Sequence, residues 1–249
     1  MISKAQLKDI KSLQLKKNRQ QQQRFLIEGT KSVLELINSD FETEIILATQ
    51  KFLTSHSSEI AEMQNLHEVS ESQLQSVGTF KNNDSVLAVA RMKANDPIFL
   101  DKKEFGIILD DVRDPGNVGT IIRIADWYGI HKIIVSLTTA EFYNPKVISS
   151  TMGSFTRVNI YSSDVSRYLI DDSNPVLGTF MEGENIHDFN SEGGWIVMGN
   201  ESNGISKETE KLITSKISIP GYGNAESLNV AVATAIVCDN LKRQDASNR

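Results

Sequence analysis

The stretch that decides the fold runs from 217 to 241 and reads ISIPGYGNAESLNV followed by AVATAIVCDNL. A short strand enters a glycine-rich turn, and a helix is predicted to begin near Glu226. Because that helix is apolar almost all the way round, it must be buried against its own domain or a partner subunit. Ser227 and Asn229 stand at its entrance, where free backbone N–H groups and small polar side chains can hold a ligand. We therefore expect this turn to form half of a cofactor pocket.

Length and composition limit the class of protein. With 249 residues and 39% hydrophobic side chains, the chain can build one large or two modest domains with packed cores. No apolar run reaches the roughly 18 residues of a membrane span, and the lysine-rich N-terminus lacks the apolar core of a secretory signal. The single cysteine, Cys238, cannot form an internal disulfide, which fits a reducing cytoplasm. The four histidines are scattered, so no metal site is predicted.

The charge is distributed unevenly along the chain. Residues 1–24 carry seven basic side chains and one acidic one, a net charge of +6, whereas the whole chain has a net charge of −6. A basic arm on an acidic body can hold phosphates locally. A solvated or frayed helix is the alternative explanation, and charge alone does not decide between the two.

The pattern of elements predicts two domains. Residues 1–95 form a basic arm and a small α/β unit, residues 103–249 form a second α/β domain, and the polar segment 93–97 links them. Strands of the second domain are predicted at 105–109, 132–136, 158–161, 176–179, 195–199 and 216–219. Because these apolar strands alternate with helical patterns, they predict a parallel sheet covered on both faces. Ligands of such sheets gather at the carboxyl ends of the strands.

The end of the first strand of that sheet carries an unusual polar sequence, DDVRDPGN, at positions 110–117. Asn117 is a good N-cap for the next helix, and simple capping would explain it. Arg123 is harder to dismiss, because it stands within the apolar run Ile121 to Ala125. A cation in such surroundings requires an anion, for instance a phosphate or a carboxylate.

Two further strand ends are also polar. After the strand at 195–199, Gly199 and Gly204 flank Glu201, and glycines there allow the backbone to approach a flat ligand closely. Glu201 taken alone is equally compatible with an exposed turn. At the third end, Ser227 and Asn229 have the same capping explanation as Asn117.

Taken together, the three strand ends resemble the SpoU (TrmH-type) branch of the SPOUT RNA methyltransferases. The motifs of that family are Asn-x-Gly-x-x-x-Arg, Gly-x-Glu-x-x-Gly, and a proline followed by Ser-Leu-Asn-Val. The matching residues are Asn117, Gly119 and Arg123, then Gly199, Glu201 and Gly204, then Pro220 and Ser227 with the three residues after it. The segment at 24–29 is similar to the family's substrate-binding domain, which itself resembles a small ribosomal protein.

The resemblance implies an α/β fold: a C-terminal parallel-sheet SPOUT-type domain with a trefoil knot, preceded by a small α/β substrate-binding domain. It implies a homodimer in the cytoplasm, without a membrane or a metal, that transfers a methyl group from S-adenosylmethionine to a ribose 2′-hydroxyl of RNA. Ribosomal RNA is favoured over transfer RNA. The residues implied for catalysis are Asn117, Arg123, Glu201, Ser227 and Asn229, and those for the cofactor are Thr179, Gly199, Asn200, Ile219 and Leu228.

The roles of these residues follow from their chemistry. An arginine is protonated at any working pH, so we expect Arg123 to hold a phosphate and favour the developing alkoxide rather than act as a base. Asn117 would orient Arg123 or the ribose, and Glu201 would accept hydrogen bonds from Arg123 or RNA. Cys238 is expected in the core of the closing helix.

Three other interpretations stay open. The chain could be a transfer RNA 2′-O-methyltransferase, a non-catalytic RNA-binding or ribosome-assembly protein with the same fold, or a nucleotide-dependent enzyme of Rossmann type. The complete polar set at all three motifs counts against a non-catalytic protein. The lack of Gly-x-Gly-x-x-Gly after the first strand counts against the Rossmann enzyme.

Overall fold

The computed structural model describes the backbone of residues 2–61, 63–80 and 82–247, with side chains as far as Arg243. Before residue 94 the elements are α1 Lys4–Ser12, α2 Lys16–Gln22, β1 Arg24–Glu28, α3 Thr30–Ile37, β2 Thr43–Ala48, α4 Gln50–Ser55, β3 Leu66–Glu68, α5 Glu71–Val77 and β4 Val86–Arg91. After it come β5 Phe105–Leu109, α6 Pro115–Trp127, β6 Lys132–Ser136, α7 Pro145–Ser150, a 3-10 turn Ser154–Thr156, β7 Asn159–Ser163, α8 Val165–Ile170, β8 Val176–Asn185, β9 Gly194–Met198, α9 Lys207–Glu210, β10 Ser215–Ser218 and α10 Val230–Ser247.

The chain divides into two compact units. One comprises residues 1–94 with 141–156, and the other comprises 95–140 with 157–249. The segment 141–156, which includes α7, therefore belongs to the first unit although it follows a strand of the second. In the first unit the ring of Phe25 packs against Tyr143 at 4.6 Å and against Phe155 at 6.1 Å between centroids. This return could not be predicted from the sequence, because contacts between residues more than a hundred positions apart leave no local pattern.

The first unit is a four-stranded sheet with a hydrophobic core on each face. The strand order is β1-β4-β2-β3, and only the β2–β3 pair is parallel. Side chains alternate along each strand, so Phe25 and Ile27 of β1 enter the core that includes α3 and α7, whereas Leu26 enters the other. That second core contains Ile10 of α1 and Leu74 of α5. The polar N-terminal arm is thus folded onto the sheet as α1 and α2.

The second unit is a six-stranded sheet in the order β10-β8-β9-β5-β6-β7, and every neighbouring pair is parallel. This confirms the predicted parallel sheet. One strand is longer than predicted: β8 continues to Asn185, beyond the expected end at 179. Its pairing with β10 shifts in register between Lys216 and Ile217, so that Ile217 lies opposite Glu184. A strand pattern predicts pairing length poorly where the partner strand is irregular.

The closing helix differs from its prediction in where it begins. It begins at Val230, four residues after the expected start at Glu226. Within this chain Cys238 and Leu241 are fully buried whereas Val232 is 49% exposed. The prediction allowed burial against a partner subunit as well as against the helix's own domain, and the part that concerns a partner stays a prediction.

Candidate active site

The carboxyl ends of the six parallel strands lie at one edge of the sheet of the second unit, and the three polar segments meet there. β5 and β9 are neighbours, and just beyond them the N–H of Asp110 donates to the carbonyl of Met198 at 2.9 Å. On its other side β9 pairs with β8, and β10 is the next strand after β8. Hydrogen bonds between side chains then connect the segments that follow β5, β9 and β10.

Helix α6 begins with a different cap from the predicted one. Its N-cap is Asp114, whose Oδ1 accepts from the N–H of Asn117 at 2.9 Å. Pro115 occupies the first helical position, where the lack of an N–H costs nothing. The residue before a proline is driven to an extended conformation, which is the backbone shape that an N-cap needs. The prediction of Asn117 as the cap was therefore wrong, and its side chain is available for other contacts.

A chain of three polar side chains joins the segments that follow β5, β9 and β10. Nδ2 of Asn117 donates to Oε1 of Glu201 at 2.6 Å, and Oδ1 of Asn117 accepts from Nδ2 of Asn229 at 3.0 Å. Oδ1 of Asn229 in turn accepts from the N–H groups of Ala231 and Val232 at 3.0 and 3.3 Å, so Asn229 caps α10. Because a carboxylate can only accept and a backbone N–H can only donate, both amide orientations are fixed by chemistry.

Arg123 lies outside this chain of hydrogen bonds. Residues Ile121, Ile122 and Ala125 are fully buried, whereas Arg123 is exposed on the same side of α6 as Trp127. The apolar neighbours of Arg123 in the sequence therefore do not bury its guanidinium. Residues four apart share a helix face, so Arg123 lies on the face of the exposed Trp127 and not on that of its immediate neighbours. Within the described part of the chain no carboxylate pairs with Arg123. Glu201, one of its expected partners, is bonded to Asn117 instead.

The turn that carries Glu201 is held by the backbone and by one amide. Asn200 and Gly204 exchange two backbone hydrogen bonds, of 3.0 and 2.9 Å. A Cβ atom on Gly199 would lie 2.3 Å from the carbonyl carbon of Gly204, so only glycine fits there. The side chain of Asn200 donates to the carbonyl of Asp111 at 2.8 Å and accepts from the N–H of Ser202 and of Asn203. The structure thus places the Asn200 amide in contacts within the protein.

The loop 219–229 leaves its polar groups open. Within the described ranges, the backbone N–H and C=O groups of residues 219–228 and the hydroxyl of Ser227 make no hydrogen bond. Ile219 is half-buried and Leu228 is 47% exposed, so apolar surface lies beside these open groups. An adenine ring needs this combination of apolar contact and backbone hydrogen bonding. Thr179 stands at the same sheet edge with its hydroxyl donating to the carbonyl of Val197 at 2.9 Å.

Two acidic residues at the end of β5 also shape the site, and sequence reasoning gave them no role. Asp110 is 5% exposed, and its Oδ2 accepts from the N–H of Ser206 at 2.9 Å. Asp111 adopts a positive φ of 62° and accepts from Nε of Arg113 at 2.8 Å, and this bond lowers the pKa of Asp111. Two acidic residues directly after a buried strand were the available signal. Both anchor the loops that hold Asn117 and Glu201.

Cys238 and the side chains that could bind a metal are the remaining candidates for chemistry. Cys238 is fully buried, as expected, and burial raises the pKa of its thiol to about 12, so it is not a thiolate nucleophile at neutral pH. Among the residues that the structure describes, no group of three or more His, Cys, Asp and Glu side chains is arranged to hold a metal ion. None of the described helices is long and apolar enough to cross a membrane.

Two family models match this chain. The model of the SpoU rRNA Methylase family matches residues 104–239, and that of the MRM3-like substrate binding domain matches residues 4–88. The 23S rRNA (guanosine(2553)-2′-O)-methyltransferase RlmP of Bacillus subtilis is 30% identical over 241 residues, which cover 95% of each chain.

Solved structures agree with this match. The SpoU methyltransferase AviRb of Streptomyces viridochromogenes in complex with AdoMet has a TM-score of 0.86 at 25% identity, covering 99% of this chain and 100% of that one. The AdoMet-bound rRNA methyltransferase of Sinorhizobium meliloti has the same TM-score at 27% identity, covering 98% and 96% of the two chains. The family match spans the whole polar site, from Asn117 to Asn229. This chain belongs to the SpoU rRNA Methylase family.

Proposed function

We propose that this chain transfers the methyl group of S-adenosylmethionine to a ribose 2′-hydroxyl of ribosomal RNA. The observation that carries the proposal is the hydrogen-bonded chain from Asn229 through Asn117 to Glu201, with the guanidinium of Arg123 open on the same helix as Asn117. This arrangement presents an ordered carboxylate and a cation that has no partner among the described residues, which are the groups that a ribose hydroxyl and its neighbouring phosphate require.

The residues divide the work of methyl transfer. When bound, the cofactor supplies an electrophilic sulfonium methyl group. Arg123 binds the phosphate beside the target ribose and stabilises the negative charge that develops on the 2′-oxygen. Glu201 accepts the hydrogen bond of the 2′-hydroxyl and takes its proton when the oxygen is methylated, and it is the one carboxylate among the five proposed catalytic residues. Asn117 and Asn229 hold Glu201 in place, which matters because in-line transfer depends on orientation.

The loop 219–229 and the turn at Gly199 fit the cofactor. The backbone of Gly199, Ile219 and Leu228 would contact the adenine and ribose, and Thr179 would line the same pocket. Asn200 does not contact the cofactor itself but holds the turn that does, because its amide already bonds to Asp111 and to the turn. Ser227, exposed and open, would contact RNA or cofactor from the loop.

The substrate class is supported by the relatives. RlmP is named for 2′-O-methylation of a guanosine of 23S rRNA, and it aligns with 95% of this chain. A second relative, from Streptomyces viridochromogenes, is named for 2′-O-methylation of a uridine of 23S rRNA and is 32% identical over 177 residues. We therefore place the target in 23S rRNA, with the enzyme acting in the cytoplasm.

The proposal includes a homodimer and a knotted C-terminal segment. α6 and α10 pack against each other and leave Trp127 83% and Val232 49% exposed. Large apolar side chains that are uncovered on adjacent helices are what a second copy would bury. The trefoil knot rests on the family resemblance.

The decisive experiment is methyl transfer from labelled S-adenosylmethionine to unmodified 23S rRNA and, in parallel, to unmodified transfer RNA. We expect label in 23S rRNA, at a ribose 2′-oxygen identified by resistance of the adjacent bond to alkaline cleavage. Label in transfer RNA alone would change the proposed substrate from ribosomal RNA to transfer RNA. If the protein binds the cofactor but labels neither RNA, the non-catalytic interpretation replaces this one. If it does not bind the cofactor, the site assignment fails.

A further inference from the structure

Asp111, in the loop that follows β5, has a backbone conformation that side chains seldom adopt. Its φ of 62° lies in the left-handed region, where glycine is unstrained and a residue with a Cβ atom is not. Two hydrogen bonds hold the backbone there, since the N–H of Asp111 donates to Oγ of Ser136 at 2.9 Å and its carbonyl accepts from Nδ2 of Asn200 at 2.8 Å. The segments at the ends of β6 and β9 therefore fix the position of Asp111.

The bond from Asp111 to Ser136 is anchored in the interior of the unit. Ser136 and Thr139 are buried with their hydroxyl oxygens 2.9 Å apart, and the hydroxyl of Thr139 donates to the carbonyl of Leu109 at 2.9 Å. Because the hydrogen of Thr139 is used for that carbonyl, Ser136 is the donor of the pair, and its oxygen accepts from Asp111. A buried chain of hydrogen bonds thus makes the conformation of Asp111 rigid.

The carboxylate of Asp111 orients one guanidinium. Its Oδ1 accepts from Nε of Arg113 at 2.8 Å, and within the described ranges Arg113 makes no other hydrogen bond. The side chain of Arg113 is 68% exposed, so its two terminal nitrogens, Nη1 and Nη2, are open to solvent. A guanidinium that is held through Nε keeps four N–H donors of its rigid fork free, and such a fork pairs bidentately with a phosphate.

The stability of the fold does not explain this arrangement. An ion pair that involves an exposed side chain contributes little to stability. Glycine at position 111 would keep both backbone hydrogen bonds and would remove the strain of the positive φ. Because strained residues persist where a functional site requires them, an aspartate in this conformation that holds an exposed arginine indicates a function for that arginine.

Arg113 lies beside the proposed methyl-transfer site and away from the segments that we assign to the cofactor. Asn200, which bonds to the carbonyl of Asp111, is adjacent to Glu201 in the chain. The proposed cofactor contacts lie on or after β8, β9 and β10, whereas Arg113 follows β5, on the other side of β9 from β8. Helix α6 begins two residues after Arg113, and Arg123 lies about 12 Å further along its axis. An exposed guanidinium at this position suits a polyanion that passes over the surface better than an enclosed ligand.

We infer that Arg113, oriented by Asp111, binds a phosphate of the RNA strand beside the methyl-transfer site, at a position separate from the phosphate that Arg123 binds. Arg113 is then a substrate-binding residue, and Asp111 is a positioning residue that acts through Arg113. RNA as the partner is taken from the proposed function, on which this inference rests. A phosphate contact releases counterions, so it adds to the salt dependence of binding and carries no sequence information.

The first test compares Arg113→Gln with Arg167→Gln, a control with the same charge change at an exposed arginine on α8 of the same unit. Binding of unmodified 23S rRNA is titrated at several salt concentrations, and cofactor affinity and methyl transfer are measured on the same samples. For Arg113→Gln we expect the slope of log affinity against log salt to fall by about one. Affinity for RNA should fall roughly tenfold, and the loss should appear in KM for RNA rather than in kcat. Arg167→Gln should match the wild type.

The second test uses Asp111→Gly to separate positioning from charge. If the carboxylate only repels RNA, removing it raises the affinity for RNA. If it positions Arg113, the affinity falls roughly three- to tenfold, because the guanidinium must then be ordered on binding. Glycine adopts the positive φ, so the urea midpoint should stay close to that of the wild type. Asp111→Gly/Arg113→Gln should bind RNA as Arg113→Gln does, because both substitutions remove the same contact.

The outcomes separate this inference from the proposed function. If the wild type methylates RNA and Arg113→Gln binds RNA as Arg167→Gln does, Arg113 is not an RNA contact. If Arg113→Gln loses cofactor affinity while RNA binding is intact, the guanidinium binds the carboxylate of the cofactor, and the inference is overturned. A higher RNA affinity in Asp111→Gly overturns the positioning role of Asp111. If Arg113→Gln lowers RNA affinity and the salt slope as expected but the wild type transfers no methyl group, the RNA contact stands and the proposed function fails.

Discussion

Two arginines of this protein have opposite environments, and both differ from the expectation that their sequence neighbours create. Arg19 stands among polar residues in the basic arm, yet it is 2% exposed, bonds to two backbone carbonyls and pairs with Glu141. Arg123 stands among isoleucines, yet it is exposed and has no anionic partner among the described residues. The hydrophobicity of adjacent residues therefore did not predict burial for either side chain.

The difference shows how a helix and a tertiary contact assign roles to the same chemical group. A guanidinium has five donors in a fixed fork. In Arg19 both terminal nitrogens, Nη1 and Nη2, bond within the protein, while Nε is buried without a described partner. Arg123 is exposed, and no carboxylate in the described ranges pairs with its fork. A buried and paired arginine stabilises the fold, whereas an exposed arginine without such a partner is available to a ligand.

Removing the charge of Arg19 is expected to have the largest effect on the molecule. Arg19→Met keeps most of the volume but leaves Glu141 and two carbonyls without their donor. Breaking a buried ion pair by removing one partner costs about 3–5 kcal/mol, and we expect a loss of that size in the free energy of unfolding, measured with urea. Methyl transfer per folded molecule should be unchanged, because the site residues lie in the other unit.

A second substitution measures the contribution of the ion pair between Arg19 and Glu141 separately from the other hydrogen bonds of Arg19. Glu141→Gln in the Arg19→Met background should recover part of the lost stability, since the unpaired carboxylate is then gone. Lys17→Ala, an exposed neighbour on α2, serves as the control and should change stability by less than about 0.5 kcal/mol. An Arg19→Met variant as stable as this control would show that the ion pair does not hold the unit together.

Removing Arg123 should lower methyl transfer and leave stability unchanged, the reverse of what is expected for Arg19. For Arg123→Ala we expect methyl transfer at saturating substrates to fall roughly a hundred- to a thousandfold, the size seen when a donor to a developing negative charge is lost. Unfolding free energy and cofactor affinity should be unchanged, because the side chain has no described partner. Arg167→Ala on α8 is a matched control, since Arg167 is also exposed on a helix of the second unit. Loss of stability in Arg123→Ala, or full activity, would remove the contrast between the two arginines.

A smaller effect is expected where the polar chain itself is altered. Asn117→Asp replaces the donor at 2.6 Å from Glu201 by a second carboxylate, and two carboxylates so close cannot both ionise without a large cost. At low pH the pair holds one proton, which restores a hydrogen bond. As the pH rises, that proton leaves and the two charges repel.

The measurement for this variant is the pH dependence of the transfer rate. We expect the rate of Asn117→Asp to fall as the pH rises, and to lie roughly ten- to a hundredfold below the wild type once both carboxylates are ionised, the loss expected for one hydrogen bond to a charged group. Asn117→Ala should be slow at all pH values without that added dependence. If the transfer rates of Asn117→Asp and the wild type depend on pH in the same way, the hydrogen bond between Asn117 and Glu201 has no role in methyl transfer.

Local sequence was sufficient for much of the second unit. The alternation of apolar strands and helices predicted the parallel sheet, and β5 and β6 have the predicted bounds, because burial on both faces leaves a continuous apolar run that is easy to recognise. The resemblance of three short motifs was enough to indicate the family, since the residue types and their spacing are written directly in the chain.

Tertiary structure decided what those residues do. Asp114 rather than Asn117 caps α6, and α10 begins at Val230 because Asn229 caps it, so two asparagines that sequence treats as caps have different roles. The chain from Asn229 to Glu201 joins residues more than eighty positions apart, and the exposure of Arg123 depends on which face of α6 meets the sheet. Sequence determined which groups exist and at what spacing. Their partners, and therefore which arginine is free for a ligand, depended on distances between segments that only the folded chain brings together.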